Sequence, residues 1–151
     1  MDDFDRKLLG IMQSDCTLSH AEMGRQVSLS ASAVRRRLAA LRTSGVIAAE
    51  VAVLGSAAQT GITVITSVAF ERETPAVYDD FRARMRGDAN VLQCYSVAGQ
   101  ADFILVVAAF SLEAYEAWGE RVLLADPAIR RYDSYVAWST TKFTTRRPVF
   151  E

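Results

Sequence analysis

The sequence predicts an α+β protein of two parts. A three-helix, winged-type helix-turn-helix unit covers residues 1–47, and a ferredoxin-like βαββαβ unit covers 62–151, with a linker strand and loop over 48–61 between them. Three observations carry this. Before Gly45 the apolar residues recur at helical spacing, and two of the three segments begin behind Ser start signals. After Gly61, β-branched stretches alternate with helical patterns in the order β-α-β, twice over. Charge is also divided: residues 1–47 hold seven Lys and Arg against five acids, net +2, while 48–151 hold ten against thirteen, net −3.

In the first part, Phe4, Leu8, Ile11 and Met12 give one apolar face and predict a helix from about Asp3 to Ser14. Ser19 and Glu22 form an S-x-x-E capping box, with Leu18 and Met23 spaced as a hydrophobic staple, so a second helix runs to about Val27. After Ser28-Leu29, Ser30 caps a third helix, stapled by Leu29 and Val34, which ends near Ser44 with Gly45 as its C-terminal cap. At about 100° per residue Val34, Leu38 and Leu41 share one line, and Ser32, Arg36, Ala40 and Thr43 the opposite one.

The outer line of the third helix is chemically distinctive. From Met23 to Ile47 there are five arginines, Arg25, Arg35, Arg36, Arg37 and Arg42, and no acid. Arg36 points outward between Arg35 and Arg37, while Ala33, Ala39 and Ala40 keep the face slim enough for a major groove. An arginine grips guanine O6 and N7, or a phosphate, with two parallel hydrogen bonds. Ser30, Ser32, Ala33, Arg35, Arg36, Arg37 and Arg42 are therefore the expected DNA contacts, and duplex DNA the expected partner. The acidic net charge of the whole chain does not oppose this, because local clustering sets polyanion binding. Arg37 lies toward the core edge of the helix and also has the placement to hold the domain together through a carboxylate.

Between the two parts, Val46–Leu54 reads as a strand followed by a loop, and the second part opens on the strand Ile62–Phe70. Pro75 opens a helix carrying Val77, Phe81 and Met85 to about Gly87, and Val91–Ala98 is the next strand. Gly99-Gln100-Ala101-Asp102 marks a turn into the strand Phe103–Phe110. Ser111 caps a helix that Asp126-Pro127 stops, and a last strand runs from about Ile129 to Thr140 before a basic tail. Strands apolar at nearly every position predict shielding on both sheet faces, and two helices cover one, so a second copy is expected on the other.

Other chemistry finds little support. Two cysteines without a CxxC partner and a single histidine exclude a metal cluster or disulfide scaffold, and no glycine-rich phosphate loop, nucleophile elbow or paired-carboxylate spacing suggests an enzyme. No cofactor is expected. An acylphosphatase-like reading fails on the acidic Glu71-Arg72-Glu73-Thr74 loop. The apolar stretches fall short of the roughly 20 residues of a membrane helix, and the N-terminus is acidic where a secretory signal is basic, so a cytoplasmic, nucleoid-associated protein is expected.

The sequence resembles the Lrp/AsnC, or feast/famine, transcription regulators across nearly its whole length. The resemblance rests on Asp2-x-x-Asp5-Arg6-Lys7-Leu8-Leu9, on Leu29-Ser30-x-x-x-Val34-x-x-Arg37-x-x-x-Leu41, on Gly45-x-Ile47 and on Val97-x-Gly99-x-x-Asp102-Phe103-x-Leu105, in the right order. It implies a sequence-specific DNA-binding regulator that responds to a small effector such as an amino acid, with dimers building tetramers or octamers. It further implies an effector site at Gly99, Gln100, Ala101 and Asp102, joined by Ser134, where the family commonly has threonine. The alternative is a weakly sequence-specific architectural DNA-binding protein, or a sensor with little effector response.

Overall fold

Side-chain caps set where the first helices begin. In the computed structural model, which describes residues 1–58, 60–72 and 74–149, α1 spans Asp3–Met12, α2 His20–Val27 and α3 Ala31–Thr43. The Asp5 amide donates to the Asp2 carboxylate at 2.9 Å and the Asp2 amide returns the bond to Asp5 at 3.0 Å. Ser19 and Glu22 repeat the device: the Glu22 amide donates to Ser19 Oγ, and the Ser19 amide to Glu22 Oε2 at 2.8 Å. The capping box expected for the second helix is therefore present. α1 stops at Met12, two residues short of Ser14, where Asp15 draws the chain into a local turn by accepting the Thr17 amide at 2.8 Å and hydroxyl at 2.6 Å.

The turn between α2 and α3 depends on two backbone features. Ser28 adopts the left-handed conformation, with φ of 57°. The chain then folds back so closely that a Cβ on Gly24 would sit 2.4 Å from the Leu29 carbonyl oxygen. A glycine is thus required inside α2. Leu8, Val34 and Leu38 are fully buried with Met23, Val27 and Leu41 around them, while Ser32, Arg36, Ala40 and Thr43 are exposed, as the rotation of the third helix predicts.

Residues 46–54 form no strand, contrary to expectation. Val46, Val51, Val53 and Leu54 are all exposed, and an apolar run becomes a strand when a neighbouring chain supplies ladder hydrogen bonds, which no described segment of this chain does. The tail from Lys142 groups with Met1–Val53 as one compact unit, and Leu54–Thr141 is the other. Two contacts hold it there. Gln13 Nε2 donates to the Arg147 carbonyl at 3.0 Å while the Arg147 amide donates to Gln13 Oε1 at 2.6 Å, and Val149 packs on the helical core.

The second unit comprises β1 (Ile62–Phe70), α4 (Pro75–Gly87), β2 (Val91–Ser96), β3 (Phe103–Ala109), α5 (Leu112–Gly119) and β4 (Ile129–Val136). Its sheet runs β2-β3-β1-β4 with every neighbouring pair antiparallel, the ferredoxin-like order. β2 ends at Ser96 rather than Ala98, β3 at Ala109 rather than Phe110, and β4 at Val136 rather than Thr140, because pairing with neighbours, not β-propensity, ends a strand. α5 passes at Glu120 into one π-helical turn ending at Leu124.

Period-2 alternation separates the two sheet faces. Val64, Val68 and Phe70 of β1 and Phe103, Leu105 and Val107 of β3 pack against Phe81 and Met85 of α4 and against Tyr115 and Trp118 of α5. Thr66 is fully buried among them, its hydroxyl 2.7 Å from that of Tyr115. The opposite face carries Ile65, Ser67 and Ala69 of β1, Ile104 and Val106 of β3, and Arg131, Asp133 and Tyr135 of β4.

Candidate DNA-reading face and effector depression

α3 owes its position to its cap and its apolar line. Ser30 Oγ accepts the Ala33 amide at 3.2 Å and lies 3.1 Å from the Ser32 hydroxyl, leaving Ser30, Ser32 and Ala33 at the helix start. Past them the arginines fall into two groups. Arg35 and Arg36 are exposed and have no carboxylate partner among the described residues. Arg37 instead binds both carboxylates of the α1 cap, Asp2 at 2.7 Å and Asp5 at 2.9 Å, and lies over the Phe4 ring. Its hydrogen bonds to Asp2 and Asp5 hold its protonation constant above the ordinary arginine range. Arg42 pairs with Glu50 at 2.6 Å. Among the described residues, two of the four arginines expected at DNA are therefore free of carboxylates, and two are engaged with them.

The turn at the second site is also divided. Gln100 and Ala101 line a depression on the open sheet face with Ser67, Ile104, Arg130 and Asp133. Gly99, with φ of 154°, lets the hairpin reverse beside it. The Asp102 carboxylate, however, turns inward: it accepts the Phe70 amide at 2.7 Å and the Tyr78 hydroxyl at 2.5 Å, tying the hairpin to the end of β1 and to α4. Ser134 lies on the helix-covered face, its hydroxyl 2.5 Å from that of Tyr115. Four residues that sequence reasoning passed over, Ser67, Arg130, Arg131 and Asp133, stand at the depression instead. The signal was alternation in β4: once Tyr132 and Val136 are taken as apolar contacts to the helices, Ser134 falls on their side and Arg131 and Asp133 on the other. Arg131 pairs with Asp133 at 2.8 Å, and Arg130 has no carboxylate partner among the described residues.

A capped helix-turn-helix with unpaired arginines on its outer face, followed in the chain by a ferredoxin-like domain with a depression at its hairpin, defines a DNA-binding regulator with a ligand-binding domain. Comparison with known proteins makes this specific. Residues 1–42 match the AsnC-type helix-turn-helix domain, and residues 63–147 the Lrp/AsnC ligand binding domain. The chain belongs to the Lrp/AsnC family of transcriptional regulators, a non-enzymatic class. An uncharacterized HTH-type transcriptional regulator of Sinorhizobium fredii is 34% identical over 99% of this chain and 89% of its own length. The crystal structure of an AsnC family transcriptional regulator from Agrobacterium tumefaciens superposes with a TM-score of 0.87 at 31% identity, covering 98% of this chain and 97% of that one. A transcriptional regulator from Neisseria meningitidis, solved as its L-Met complex, superposes with a TM-score of 0.86 at 26% identity, covering 98% and 96%. Among the described residues, no helix is long and apolar enough to cross a membrane.

Proposed function

We propose that this chain is a sequence-specific regulator whose α3 enters the major groove with Arg35 and Arg36 foremost, and whose affinity for DNA responds to an amino acid bound at the hairpin depression. The observation that carries this reading is the division among the arginines: Arg35 and Arg36 are exposed on the slim side of α3 with no carboxylate partner among the described residues, while Arg37 is held by the α1 cap. Ser30, Ser32 and Ala33 at the start of α3 add close approach and phosphate contacts. Arg42 joins them once it exchanges Glu50 for a phosphate.

At the depression, Arg130 suits an α-carboxylate and Asp133 an α-ammonium, with Gln100 and Ala101 closing the side. The L-Met in the Neisseria meningitidis relative supports this ligand class. Gly99 and Asp102 shape the hairpin rather than touching the ligand, and Ser134 acts from the far side of the sheet. Dimers form through the part of the open sheet face around Ile65 and Val106, beside the hairpin end that holds the depression, and associate further into tetramers or octamers, in the cytoplasm and on the nucleoid. A dimer presents two α3 helices to half-sites about one helical turn of DNA apart.

Genome-wide recovery of bound DNA, with and without an amino-acid mixture, tests the reading. Enriched paired half-sites whose occupancy shifts with amino acids are the expected result. Recovery without sequence enrichment would replace it with the architectural, weakly specific reading.

A further inference from the structure

The C-terminal tail is the feature of the reading-head unit that the helix-turn-helix reading leaves unused. From Lys142 to Phe150 the chain carries Lys142, Arg146 and Arg147 and no acid. Among the described residues, none of the three has a carboxylate partner. This basic segment is docked. The Gln13 side chain satisfies both the amide and the carbonyl of Arg147, in the manner of a strand neighbour, and Val149 is partly buried against the helical core. The Arg146 amide donates to Thr144 Oγ1 at 3.1 Å, which fixes the approach to the docked position.

The placement bears on DNA. Thr145 and Arg147 line one groove with the segment 46–53, and that segment leaves the C-terminal end of α3 and returns Glu50 to Arg42 in its last turn. Here the tail flanks the stretch directly following the recognition helix, where a wing would stand in a winged domain. Ordering a basic segment without giving it counter-charges raises local positive potential on the unit that already approaches a polyanion. Because docking has already fixed the backbone, binding there costs less ordering entropy than for a free arm.

We propose that the docked tail is a second DNA contact, in which Arg146 and Arg147 hold phosphates flanking the groove entered by α3. The proposal rests on the DNA-binding reading of α3, and the experiment separates the two. Binding of a random-sequence 30-base-pair duplex to the full-length protein is measured from about 50 to 200 mM salt. Each phosphate contact contributes about 0.9 to the slope of log affinity against log salt. Arg146→Ala/Arg147→Ala is expected to make that slope shallower by about one to two units for each chain engaged on the duplex, with the melting temperature of the protein unchanged, and Arg146→Lys/Arg147→Lys to restore it. Gln13→Ala removes no charge, yet is expected to weaken binding at every salt concentration by releasing the tail. A parental slope in the double alanine variant would overturn the proposal while leaving α3 in place. Full retention of binding by Gln13→Ala would overturn the docked geometry, and a parent that does not bind DNA would overturn both readings.

Discussion

Arginines one residue apart have different work to do. Arg36 faces water on the slim side of α3, and Arg37 is clamped by Asp2 and Asp5. Arg36→Ala should relax sequence preference in a binding-site selection, since a bidentate base contact is worth about 1–3 kcal/mol of discrimination. Arg37→Ala should instead lower the melting temperature and leave the salt slope of DNA binding unchanged, because its guanidinium is spent on α1. The same distinction holds at Asp102. Its carboxylate satisfies the Phe70 amide and the Tyr78 hydroxyl. Asp102→Ala leaves a part-buried amide unpaired and should cost about 1–3 kcal/mol in chemical denaturation. Effector affinity measured by calorimetry should fall with it as the hairpin loses its anchor, whereas loss of effector binding at full stability would make Asp102 a direct ligand.

The elements of the reading head are held by caps that carry charge. The Asp2 carboxylate accepts from the Asp5 amide and from Arg37, and the Glu22 carboxylate accepts from the Ser19 hydroxyl and amide. The Asp5 amide bond first, and Arg37 after it, hold Asp2 below its ordinary value; the Ser19 hydroxyl does the same for Glu22. A carboxylate whose constant is lowered by folding contributes stability that is present above its unfolded value and lost as the pH falls through its folded one. Melting of the helical unit should therefore become easier as the pH drops from about 5 to 3. Ser19→Ala should cost about 1 kcal/mol at neutral pH. It should also flatten that acid dependence, because the Ser19 hydroxyl is the main cause of the Glu22 shift. A variant as acid-sensitive as the parent would show that the α2 cap contributes nothing to it.

Across the whole molecule, the proposed dimer rests on the open sheet face. Ile65 is 42% exposed and Tyr135 61%, beside Ile104 and Val106, a patch that isolated globular domains tend to cover. Burying apolar area is worth about 25 cal/mol per Å² before association costs, which is the driving force the proposed partner sheet would draw on. Sedimentation equilibrium should find at least a dimer of the 16.6 kDa chain. Ile65→Glu should shift it toward monomer while leaving circular dichroism unchanged, since Ile65 does not belong to the helix-covered core. A parent that is monomeric at micromolar concentration would remove both the pairing of sheets and the paired reading heads built on it.

The sequence by itself determined what depends on residues near one another in the chain. Capping boxes and staples span four to six residues and helical periodicity little more, so His20 and Ala31 as capped helix starts, Asp3 as the start of an apolar face, and the buried line Val34, Leu38 and Leu41 were legible in it. The β-α-β order and the four family motifs were legible for the same reason. Tertiary structure decided whatever required a distant partner. It sent Arg37 to Asp2, Asp102 to Phe70 and Tyr78, and Ser134 to the helix side, away from the depression where it was expected. It also left residues 46–54 without a strand and returned the tail from Lys142 to Gln13. The reason is common to all of these. A side chain's type fixes which bonds it is able to make, but a long-range bond forms with whichever group the fold brings within about 3 Å, and that distance is written in the packing of elements far apart in the chain.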